Sequence, residues 1–218
     1  ALKEDSREDW LMIPRRFSLK ESTWLPDHSH WVKDYHYLTF PGQSDPNYGF
    51  AFQTATYPTL KVNKVGVDDT MIFQGSCWFA DRKYFMAHVG HLDSTNYGTF
   101  SQEPMEIGLK YWLGGGAVKT TNKVWYAHMF KTGKHYKASF FSRRHKRDAE
   151  AIRGNEWSTR HWMNDEESGM VRPFSWLVDK FWPLPGWEIN WRDVIARKFG
   201  NEEPDGVRRS VDGLQPGA

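Results

Sequence analysis

The polar opening "ALKEDSRED" runs straight into "WLMIP", an apolar run too short for a helix, which predicts a buried strand closed by Pro14. "DYHYLTFPG" predicts an extended segment ending in a turn, and the Gly, Pro, Asn and Asp of "GQSDPNYG" predict a loop. "FAFQTATYPTLKVNKVGVDD" supplies one or two strands. In "TMIFQGSCWFADRKYFMAHVG" two apolar runs flank a break at Gly75 and Ser76, and a short helix follows, capped by Asp81 and closed by Gly90. After a loop at 91–101, "EPMEIGLKYWL" sets Met105, Leu109, Trp112 and Leu113 at helical spacing. Pro104 falls in the first turn of that helix, where its missing N–H costs least, and Gly114 to Gly116 end it. "AVKTT" and "KVWYAHMF" read as strands, and 142–162 and 173–199 as helices around Trp-rich loops. There is no internal repeat. The whole predicts an α/β chain with helices flanking a mixed sheet.

Composition narrows what such a chain does. With 218 residues, 39% hydrophobic and 26% charged, it is long enough for a sizeable core and fits one large domain or two small ones. A formal net charge of +2 provides no general field for nucleic acid, so polyanion contact would have to be local, as at "SRRHKRD" over 142–148. The lone Cys77 excludes an internal disulfide framework and a Cys-rich metal site. No stretch of about 18 apolar residues and no signal-peptide pattern occurs, so no membrane span is expected and a cytoplasmic location is. The start lacks Met, which raises the expectation of a fragment or processed chain with a partner segment upstream.

Twelve Trp are many for this length, and they suit either core packing or flat stacking surfaces for sugars and bases. "WSTRHW", "FSW" and "FWPLPGWEINW" would be the platforms of a Trp-rich carbohydrate- or nucleic-acid-binding module, or simply the packing of C-terminal helices. Glu103 and Glu106, three apart, share one helix face opposite the apolar stripe. Two acidic residues in a first turn serve catalysis, or merely favour the helix dipole from a solvated face. His128, at the end of an aromatic strand, is either a packed histidine or a metal ligand.

The order of these motifs adds a further expectation. Residues 71–131 resemble the acceptor-side half of a GT-A glycosyltransferase of the family-2 and polypeptide N-acetylgalactosaminyltransferase type, through "FQGSCWFADRKYF", the acidic helix start "SQEPME", the helix end "YWLGGG" and the strand "VWYAHMFK". "MIPRRFSL", "DYHYL" and "NKVWYAH" are similar to segments of phage-type family-2 members. The resemblance implies that 1–141 is the C-terminal part of a GT-A domain whose nucleotide-binding half precedes it or comes from another chain, with 142–218 a Trp-rich helical tail packing on it. It implies a metal-dependent transferase taking a nucleotide-diphospho-sugar donor and an acceptor that is a glycan, a protein or a modified nucleic acid, and inactive as an isolated fragment. His128 would hold a divalent metal, Mn²⁺ or Mg²⁺, on the donor diphosphate. Lys131, His135 and Tyr136 fall near the pyrophosphate-binding positions, and Gly75, Ser76, Trp78 and Asp93 on the substrate side. Glu103 and Glu106 match the paired acidic positions. Pro104 stands where inverting members carry the aspartate base, so one of the glutamates would take that role, Glu106 foremost, or the reaction would be retaining.

Overall fold

Two long strands laid parallel organise the fold. The computed structural model describes residues 6–28, 32, 34–42, 51–57, 66–97, 102–129 and 149–199. β1 (Trp10–Leu19) and β6 (Ala117–His128) form the middle of a four-stranded sheet, with β2 (Pro26–Asp27) antiparallel on the outer side of β1 and β5 (Val67–Asp69) antiparallel on the outer side of β6. The sheet is therefore mixed, as the α/β pattern predicts. β3 (His36–Leu38) and β4 (Thr54–Thr56) make a separate antiparallel pair. The chain divides into two units, Ala1–Trp187 and Glu188–Ala218.

β1 does not stop at Pro14 but runs five residues further, to Leu19. The reason lies in its partner: Pro14 pairs with Thr121 and Arg15 with Trp125, so Asn122 to Val124 have no opposite number and the ladder slips at the proline. A residue without an N–H is tolerated where pairing is already interrupted. "AVKTT" and "KVWYAHMF" are correspondingly one strand with an irregularity, not two.

The helices follow their local chemistry. α1 (Arg82–His88) starts where the Asp81 carboxylate accepts from the backbone N–H groups of Lys83 and Tyr84, at 2.8 and 2.9 Å, and Gly90, at φ +60°, closes it. The segment read as loop at 91–101 contains a single turn, α2 (Ser94–Tyr97). α3 (Glu103–Leu113) departs most from its sequence reading: every residue from Met105 to Leu113 is buried, so Glu106 faces the interior and not a solvated side. Gly116 ends this region because a Cβ there would lie 2.5 Å from the Asp9 carbonyl oxygen. α4 (Ala149–Met163) and α5 (Phe174–Phe181) complete the first unit. The predicted helix over 173–199 is interrupted at Pro183, which cannot continue it, and α6 (Trp191–Phe199) belongs to the second unit.

Three tryptophans of the first unit are fixed in its packing. Trp112, Trp162 and Trp187 are buried, and each indole N–H finds an acceptor: the Thr70 carbonyl at 3.2 Å, the Tyr97 hydroxyl at 2.8 Å and the Leu38 carbonyl at 2.8 Å. A buried indole needs such a partner, which is how these rings fix the spacing of the elements they join. Trp24, Trp125 and Trp182 are exposed instead.

Candidate functional site

Parallel β1 and β6 bring their carboxyl ends to one edge of the sheet, the edge at which open α/β sheets bind ligands. Register and alternation then sort the side chains. Arg16 lies opposite Tyr126 and Ser18 opposite His128, so these four share one face. Arg15, Phe17 and Trp125 take the other, where Arg15 donates from Nε and Nη2 to one oxygen of Asp34, at 2.8 and 2.5 Å, and Phe17 meets Trp125 edge-on at 5.7 Å.

The Gly75–Ser76 break in the apolar run folds onto the first of these faces. The Ser76 and Tyr126 hydroxyls are 2.5 Å apart, and Ser76 Oγ also lies 3.1 Å from Gln74 Oε1. A serine hydroxyl has one proton, so the chain runs from the Tyr126 phenol to Ser76 and from Ser76 to the Gln74 carbonyl. Burial raises the Tyr126 phenol above its ordinary value, while the Ser76 bond and the nearby Arg16 pull the other way; the phenol stays a donor at neutral pH. Arg16 is 6% exposed, and burial lowers its guanidinium against the favourable influence of Tyr126. Behind the loop, a Cβ on Gly75 would stand 3.5 Å from the Pro104 ring, so the first turn of α3 lies directly against it. Glu103, half-buried, precedes that proline and has no hydrogen-bond partner among the described residues. Gly75 against the start of α3, Ser76 against Tyr126, and His128 two residues beyond Tyr126 on the same strand face make up this wall.

Glu106 and Asp93 belong to a different cluster. Glu106 Oε1 accepts from Lys110 Nζ at 2.7 Å and from the Asp93 backbone N–H at 3.0 Å, with the glutamate and lysine side chains 3% and 9% exposed. The Asp93 carboxylate caps α2, accepting from the backbone of Thr95 and Asn96 and from the Asn96 side chain. Burial pushes that carboxyl up, but these hydrogen bonds outweigh it and hold it below the usual aspartate value. Together the two acids fasten the 91–93 loop to α3. Trp78 stacks on Phe85 at 5.3 Å, and Cys77 is a free thiol raised by burial.

Lys131, His135 and Tyr136 lie outside the described residues. Among the described residues no group of three or more His, Cys, Asp or Glu is gathered tightly enough to hold a metal ion. Two residues of the wall escaped the sequence reading. Tyr126 was signalled by its place two positions before His128 on the same strand face, and Arg16 only by the "RR" pair, which does not say which arginine turns to which side. No protein-family model matches this chain, and no curated protein matches it. Among the described residues no helix is long and apolar enough to cross a membrane.

Proposed function

We propose that this chain carries the acceptor side of a metal-dependent GT-A glycosyltransferase, moving a sugar from a nucleotide-diphospho-sugar to an acceptor. The reading is supported chiefly by one observation: motifs from three separate stretches, Gly75–Ser76, the acidic start of α3 and the strand end at His128, meet on one face at the carboxyl ends of β1 and β6. In this reading His128 would contribute a nitrogen ligand to a divalent cation, whose charge would supply Lewis-acid stabilisation to the diphosphate leaving group. Glu103 is the carboxylate that accepts the acceptor proton, since the carboxylate of Glu106 is committed to Lys110 and to the Asp93 N–H. Ser76 and Gly75 line the floor beside the transferred sugar.

The donor half has a structural counterpart in this reading. Phe79 exchanges backbone hydrogen bonds with Met12, at 2.8 and 2.9 Å, and extends the sheet beyond β1. On the outer side, the backbone groups of Trp78 and Ala80 make no hydrogen bond among the described residues, and a cavity of about 400 Å³ lined by Trp10, Met12, Phe79 and Asp81 opens beside them. That open edge is where strands of a nucleotide-binding half would continue the sheet. The test is His128→Ala in the complete protein, assayed with Mn²⁺ and nucleotide-sugars. Sugar transfer should be abolished with the thermal midpoint unchanged; transfer at the parental rate overturns the assignment.

A further inference from the structure

We propose that the amino end of the sheet, opposite the edge where His128 stands, holds a binding site for a small phosphomonoester. The proposal is independent of the transferase reading. A cavity of about 320 Å³ opens there between the starts of β1 and β6, the end of α3, and α5. Its size lies at the small end of the range for ligand sites, about 300–1,000 Å³. Four cations line it, Arg7, Lys119, Arg172 and Lys180, against two carboxylates, Asp9 and Asp69. Arg7 donates from Nε and Nη2 to the two oxygens of Asp9, at 3.0 and 3.1 Å. Lys119 and Lys180 share the one carboxylate of Asp69, Lys180 at 2.7 Å. Arg172 meets no carboxylate among the described residues: its guanidinium donates to the carbonyls of Trp112, Gly115 and Gly116, at 3.0, 3.0 and 2.9 Å. Four cations less two carboxylates leave the lining of this one cavity with a formal charge of +2, as much as the whole chain carries.

A doubly charged phosphate matches that excess, and a cleft lined by one sign of charge concentrates such ions. Donors remain for its oxygens. A lysine ammonium carries three N–H groups and a guanidinium five; Asp69 takes one from each lysine, and the three carbonyls take three from Arg172. A bare phosphate would leave most of the space unfilled. The remainder is walled by Trp10 and Trp176, both half-buried, whose rings also steady the cations. Lys119 Nζ lies 4.7 Å from the centre of the Trp10 ring, and the Arg172 guanidinium 4.4 Å from that of Trp176. The organic part of an ester lies against these indoles while its phosphate meets the lysines and Arg172. Asp69 competes with the ligand for both lysines, which fixes the sign of its effect on binding.

Phenyl phosphate and inorganic phosphate are the probes, titrated calorimetrically into the 218-residue chain at fixed ionic strength, slightly above neutral pH where a phosphomonoester is doubly charged. Phenyl phosphate should bind, and more tightly than inorganic phosphate; no binding, or equal affinities, overturns the proposal. Lys180→Gln should weaken phenyl phosphate binding roughly tenfold, the loss of one charged hydrogen bond. Asp69→Asn, which frees both lysines, should tighten it, a result that an ion cluster serving the fold alone does not give. Lys20→Gln, just past the far end of β1, should bind as the parent does. Parental affinity in Lys180→Gln, weaker binding in Asp69→Asn, or a loss in Lys20→Gln as large as in Lys180→Gln each overturns the site. Should either lining variant fail to fold, the indole N–H resonances of Trp10 and Trp176 in the parent chain decide: they should shift on adding phenyl phosphate, and resonances that stay put sink the proposal.

Discussion

Glu106 and Lys110 stand one helical turn apart, with both side chains almost wholly withdrawn from water. Removing one charge from such a pair leaves the other stranded, so Glu106→Gln should destabilise the fold by about 3 kcal/mol, whereas Glu103→Gln should change it by less than about 0.5 kcal/mol. Urea unfolding of the two variants reads the difference, and a Glu103 variant as unstable as the Glu106 one would reverse the roles given to them. The sequence already shows Glu106 and Lys110 four apart, the spacing of a helical ion pair. It does not show that the pair is buried, because that depends on what covers the helix. Here the cover comes in part from residues near Val89 and His91, whose carbonyls also face Lys110 Nζ at 3.4 Å. Asp93 is a similar case: its "DSTN" context reads as a loop, and only the structure shows the carboxylate capping a turn.

At the scale of elements, α2 and α4 approach so closely that a Cβ on Gly154 would lie 2.1 Å from the Tyr97 carbonyl oxygen. Alanine in mid-helix gains about 1 kcal/mol of propensity over glycine, but a backbone carbonyl cannot step aside as a flexible side chain does, and overpacking costs about 1–3 kcal/mol. Gly154→Ala should therefore lower the urea midpoint at constant slope; a raised midpoint would mean the helices part without cost. The single turn α2 was read as loop, but α1 and α3 were readable from apolar spacing and caps, and Asp81 and Gly90 mark α1 at both ends because capping is local. The strands were less so. Where "WLMIP" ends depended on a register slip against residues more than a hundred positions away, and no local pattern encodes a pairing of that separation.

Across the whole first unit, charge ties the sheet to its helices. Asp69 on β5 is bridged by Lys119 of β6 and by Lys180 of α5, the latter at 2.7 Å. Burial alone would raise its carboxyl, but the two lysines overcome that and hold it below the ordinary 3.8. The folded state thus prefers the ionised form: this stability is present above pH 3.8 and is lost as pH falls below it toward the folded value. Asp34 slopes the other way. Desolvation raises its carboxyl despite Arg15, and its Oδ1 is buried without a hydrogen bond among the described residues, so its ionisation costs stability as pH rises from 3.8. Asp69→Asn should accordingly flatten the decline of the thermal midpoint on acidification from pH 5 to pH 3, and a decline as steep as the parent's would show the triad to be idle. The mixed sheet itself was legible in the alternation of strand and helix patterns, whereas which edge stays open was not, since that is a property of neighbours and not of any one segment. The open edge beside Trp78 and Ala80 also bears on how the protein behaves in a tube. Backbone groups unpaired among the described residues, beside a half-exposed Phe79, offer a second copy of the same chain an edge to pair with, so a concentrated stock should lose monomer faster than a dilute one.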